Sequence, residues 1–114
     1  MGITLDKSYP PTLGEPAAYE AYRGRYLAND PVGFWLAHRM LAMTNMLHML
    51  PKVTVPTMVV AGKHDTVRPP AGTEELSKKI PGAKFALIEE AGHFLPTTGP
   101  KTLVKLLRLS LIHI

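Results

Sequence analysis

The chain has 114 residues, 46% of them apolar, and its 13 Lys and Arg against 9 Asp and Glu give a formal charge of +4 at pH 7, enough material for one modest domain. It contains no cysteine, which excludes a disulfide framework, a thiolate zinc site and a Cys nucleophile. The basic residues are spread from Lys7 to Arg108, and no aromatics interleave with Lys78-Lys79 or with Lys101, Lys105 and Arg108, an arrangement that argues for solvated faces and against nucleic acid as a partner.

The opening Met1-Gly2-Ile3-Thr4-Leu5-Asp6 has neither a basic n-region nor an apolar h-region. Asp6 stands where a myristoylation signal asks for Ser or Thr, and no apolar run reaches the length of a membrane span. A cytoplasmic chain is the expectation. Pro10, Pro11 and Pro16 predict an extended leading segment over residues 1–16. Ala17–Ala28 reads as a helix with Tyr19, Tyr22 and Tyr26 on one face. Asp30 then caps a second helix that Pro31 opens, predicted to run to Leu50 and stop at Pro51. Leu36, Met40, Met43, Leu47 and Leu50 form its apolar stripe, the face a helix buries. Met40, Met43, Met46 and Met49 step by three around the axis. Some are therefore expected to pack and some to be exposed, and they read as adaptable core packing in preference to the wall of a substrate pocket. Pro51 divides the chain into residues 1–50, leading segment and helical cap, and residues 51–114, a β-α-β-α unit.

In the second unit, Pro56–Ala61 and Lys84–Glu89 are short runs rich in apolar and β-branched residues, separated by a helical Pro69–Ile80. Parallel strands joined by a crossover helix deliver the loops that follow them to one sheet edge. Those loops hold Gly62-Lys63-His64-Asp65 and Ala91-Gly92-His93-Phe94. Asp65 alone would read as a turn or cap carboxylate, and His93 alone as a solvated loop histidine. Together at one edge, acid before base, they read as the acid and base of a Ser–His–Asp triad, in which the carboxylate holds the imidazole in the tautomer that accepts the serine proton. A metal set of His64, His93 and Asp65 is the weaker alternative, because adjacent side chains in extended backbone point apart. Ser8, Ser77 and Ser110 are the only serines, and no Gly-x-Ser-x-Gly occurs. Ser77 is expected to bond the preceding helical turn. His38, His48 and His113 fall in helical or tail contexts and read as surface or partly packed residues. A closing helix starts near Lys101, with Lys101, Lys105 and Arg108 on its solvated face.

Residues 51–100 resemble the C-terminal part of the α/β-hydrolases. The resemblance rests on VPTMVVAG (55–62), KHDTVRPP (63–70), IPGAKFALIEEAGH (80–93) and FLPTTGP (94–100). YRGRYLANDPVGFWLAHRML, within residues 17–50, is similar to the helical cap of hydrolases like 3-oxoadipate enol-lactonase; the final SLIHI matches no pattern. The resemblance implies a partial α/β-hydrolase fold: a cap segment, then the last two parallel strands and their helices. It also implies serine-dependent hydrolysis of carboxylic esters or lactones without a cofactor or metal, Asp65 being the acid and His93 the base. Lacking the nucleophile, the chain is expected to be an inactive C-terminal fragment. The alternatives are a half-enzyme completed by an N-terminal hydrolase fragment, and a non-catalytic interaction module. With no upstream strand beside Thr57–Ala61 and no cover for the cap stripe, poor solubility or self-association is expected.

Overall fold

A computed structural model describes residues 2–112. Three helices lead the chain: α1 (Gly2–Ser8), α2 (Pro16–Leu27) and α3 (Pro31–Met43). A 3₁₀ turn, Leu47–Lys52, connects them to β1 (Met58–Gly62), α4 (Pro70–Ser77) and β2 (Lys84–Ile88), and a short α5 (Leu95–Thr98) precedes α6 (Pro100–Ile112). The two strands pair in parallel, from Met58 opposite Lys84 to Gly62 opposite Ile88. The α4 crossover packs on both. Among the described residues the sheet ends there, so the outer edge of β1 presents unpaired backbone groups, the arrangement that favours strand addition.

The leading segment is not extended throughout. It contains α1, which ends before Pro10, while Pro16 opens α2 at its first position. All three prolines lie where a missing N–H costs a helix nothing. Leu5 and Tyr9 are buried, so this segment is part of the core. Tyr9 packs against Tyr19 and Tyr22 at ring separations of 5.6 and 5.2 Å. Tyr22 in turn meets Phe94 at 4.9 Å. The predicted tyrosine face of α2 thus joins the leading segment to the loop that carries His93.

Asp30 caps α3 as expected, its Oδ2 accepting the Gly33 N–H at 2.6 Å. The helix stops at Met43, well short of Leu50. Thr44 donates its hydroxyl to the Met40 carbonyl at 2.7 Å, and the Asn45 side chain accepts the Leu47 N–H at 3.0 Å. These local bonds compete with the helical ladder. Pro51 then falls inside the 3₁₀ turn and is not a stop. The apolar stripe is also largely uncovered: Met43 is 74% exposed, and Leu36, Met40 and Leu47 are exposed as well. Met46 and Met49 share that exposure, so all four methionines are exposed here, where some were expected to pack. The side of α3 that does pack is the one bearing Phe34, whose ring lies 5.3 Å from that of Tyr26.

Desolvation, and secondarily the charge of Glu15, raises the Tyr9 phenol above its ordinary value of 10.0. The unfolded chain therefore loses this proton at lower pH than the folded chain. Stability from this source is complete below about pH 10 and declines as pH rises through the raised value. Tyr9→Phe should remove its share of the alkaline decline in urea-unfolding free energy. The share of Tyr19, raised by desolvation and by Asp6, should remain. An unchanged decline in Tyr9→Phe would contradict this assignment.

Candidate active site

Beyond Gly62 the ladder does not end but crosses into the loop after β2. The Lys63 N–H donates to the Ile88 carbonyl at 3.0 Å and the His64 N–H to the Ala91 carbonyl at 2.9 Å. This zips together the two loops that carry Asp65 and His93. The approach is so close that a Cβ on Gly62 would sit 2.3 Å from the Gly92 oxygen and 2.6 Å from the Ala91 oxygen. Gly62 is required by this contact; its φ is not in the left-handed region, which among the described residues only Gly14 and Gly82 occupy. An exposed ion pair between Lys63 and Glu89 at 2.5 Å spans the same two loops, a contact of small energetic weight at the surface.

Asp65 is buried and divides its two oxygens between two tasks. Oδ1 accepts the N–H groups of Val67 at 2.8 Å and Arg68 at 2.7 Å, which fixes the turn into α4. Oδ2 meets Nδ1 of His93 at 2.9 Å. The turn carboxylate and the histidine partner are thus one residue. A carboxylate can only accept, so the shared proton sits on Nδ1, and in the neutral ring this leaves the lone pair on Nε2. The His93 side chain is about one-third exposed while Asp65 is 8% exposed. An anchored carboxylate behind a half-open imidazole is an arrangement that can withdraw a proton from a hydroxyl and stabilise the resulting imidazolium. Both residues line a cavity of about 300 Å³ with Val60, Ala61, Arg68, Thr73, Leu76 and Leu95.

Ser77 and Ser110 have surroundings of their own. Ser77 bonds the Glu74 carbonyl at 2.6 Å, Ser8 is buried, and Ser110 lines a separate groove at the opposite ends of the strands, with Met58 and Lys84. His64 is exposed, and among the described residues no three potential ligands converge on a metal position. His38 is exposed and uses Nδ1 to bond the Phe34 carbonyl at 2.8 Å; His48 is also exposed. His113 lies outside the described residues. No helix among them is long and apolar enough to cross a membrane.

Sequence reasoning missed two supports of the site. The leading segment touches both loops, through Leu13 against Gly92 and through the Thr66 hydroxyl donating to the Lys7 carbonyl at 3.5 Å. Thr98, in α5, bonds the backbone on either side of His93. Such links join residues distant in sequence or depend on one rotamer, so periodicity carries no trace of them.

A profile described as serine hydrolase (FSH1) matches residues 28–103, well over half of the chain. The chain belongs to the FSH1 serine hydrolase family. Its fold is correspondingly a partial α/β-hydrolase fold, and two solved structures superimpose on it. A thermophilic esterase from Thermogutta terrifontis, with malate bound, superimposes with a TM-score of 0.83 at 27% identity, covering 98% of this chain and 44% of its own. Est816, described as an N-acyl homoserine lactone degrading enzyme, superimposes with a TM-score of 0.75 at 25% identity, covering 94% and 44%. Monoacylglycerol lipase ABHD6 from Bos taurus is 36% identical over 56 residues, 49% of this chain and 17% of the lipase. This serine hydrolase chain therefore spans less than half the length of each of these relatives.

Proposed function

We propose that Asp65 and His93 are the acid and base of a Ser–His–Asp triad that hydrolyses carboxylic esters or lactones, with the serine supplied from outside these 114 residues. The observation that carries the reading is the Nδ1–Oδ2 contact of 2.9 Å, made by a carboxylate whose other oxygen is committed to the backbone. An esterase and an enzyme that degrades an acyl lactone among the structural neighbours support the substrate class. Nε2 of His93 takes the proton of the serine hydroxyl as its oxygen attacks the acyl carbon, then gives that proton to the leaving alcohol. In the second half it takes a proton from the water that attacks the acyl-enzyme, then returns that proton to the serine oxygen as the acyl–oxygen bond breaks and the carboxylic acid leaves. Residues 51–114 contribute this acid–base edge, and residues 1–50 contribute the cap. The unpaired edge of β1 is the place for a strand from an N-terminal hydrolase segment, either part of the same polypeptide or a separate chain.

The test is turnover of short-chain p-nitrophenyl esters by the chain alone and by the chain combined with a hydrolase segment bearing a Gly-x-Ser-x-Gly elbow. Loss of the nucleophile costs about 10⁶ in turnover in a comparable triad. The chain alone should therefore match the buffer-plus-protein control, and the combination should exceed it. Turnover by the chain alone, retained after Ser8, Ser77 and Ser110 are replaced by alanine, would exclude a serine mechanism.

A further inference from the structure

We propose that Thr98 is a positioning residue for His93, holding the backbone on both sides of the imidazole so that Nδ1 stays on Asp65; the inference rests on the triad reading above. Its hydroxyl accepts the Gly92 N–H at 3.1 Å and donates to the Phe94 carbonyl at 2.8 Å. One oxygen therefore joins the residue before His93 to the residue after it. Thr98 is buried, as is its bond to Gly92, so water does not substitute readily for the hydroxyl. The single O–H goes to Phe94, and a lone pair takes Gly92; no other neutral side chain of this size and shape supplies both.

The anchor itself is fixed. Thr98 ends α5, and Gly99 follows it so tightly against the core that a Cβ there would lie 2.8 Å from Ile88 and 2.9 Å from Ala91. The hydroxyl thus refers the His93 loop to β2 instead of to solvent. Neighbouring Thr97 serves as an internal control. Its hydroxyl is buried without a hydrogen-bond partner, so Thr97→Val removes a hydroxyl from the same helix and leaves the His93 loop untouched.

The experiment follows the His93 ring N–H by proton NMR in the full chain labelled with ¹⁵N-histidine and ¹⁵N-glycine. Thr98→Val should abolish that resonance or shift it to the position of a solvent-exchanging imidazole. Thr98→Ser and Thr97→Val should leave it in place. Retention of the wild-type resonance in Thr98→Val would overturn the proposal, as would its loss in Thr98→Ser. If Thr98→Val fails to fold, or the wild-type ring signal is absent, amide exchange of Gly92 in the wild-type chain decides. Protection supports the clamp, and exchange at the rate of an open loop overturns it. An absent wild-type ring signal beside a protected Gly92 would count against the triad reading alone, which separates the two failures.

Discussion

Gly62→Ala is expected to lower the unfolding free energy by about 3 kcal/mol, at the upper end of what overpacking costs, and to separate Asp65 from His93. The added methyl would meet the carbonyl oxygens of Ala91 and Gly92. Both are backbone atoms, the Ala91 oxygen accepts the His64 N–H, and Lys63 ties the same loop through the Ile88 carbonyl, so no rotamer change relieves the clash. Relief requires the loops to part, which lengthens the contact between Oδ2 and Nδ1. Urea unfolding measures the stability loss, and the His93 ring N–H resonance reports the separation. Gly72→Ala supplies the contrast: nothing lies within 4 Å of a Cβ at that position. A loss at Gly62→Ala no larger than at Gly72→Ala would mean that the loops yield easily and that their close approach does not hold the pair together.

Asp65→Asn should lower kcat by about 10⁴ in the combined hydrolase, the loss seen when a triad carboxylate becomes an amide, with KM little changed. The asparagine oxygen can still accept the Val67 and Arg68 N–H groups that Oδ1 accepts now. Toward His93 it presents an NH₂ donor, which favours the tautomer with the proton on Nε2. The turn into α4 is preserved while the base is lost. Asp65→Ala removes both functions and should add a stability loss of about 1–3 kcal/mol from the two unpaired N–H groups. Comparable stabilities for the two variants would contradict the divided role of the carboxylate.

The strand-helix-strand arrangement was legible because apolar, β-branched runs and proline-opened helices are local signals, and a parallel crossover leaves the following loops only one edge to occupy. That reasoning brought Asp65 and His93 together. The sequence set the histidine partner against the turn carboxylate and favoured the first, whereas Asp65 makes both contacts. The remaining misses have local or long-range causes. α1 was hidden by the prolines that follow it, and α3 was overrun because the side-chain bonds of Thr44 and Asn45 leave no mark in an apolar period. The exposure of Leu36, Met40, Met43 and Leu47 is no such miss: the stripe has the spacing of a buried face, and no cover for it was expected within this chain. Thr98 was invisible for another reason: a threonine between threonine and glycine in a proline-rich turn gains its role only when α5 folds back on Gly92.

The central claim is that the edge carrying Asp65 and His93 activates a serine lying outside these residues, and fluorophosphonate labelling tests it most directly. The combined hydrolase should be labelled with one equivalent at the elbow serine. His93→Ala should slow that labelling at least as much as Asp65→Asn slows turnover. Labelling of Ser8, Ser77 or Ser110, or an elbow serine that reacts equally fast in His93→Ala, would contradict it.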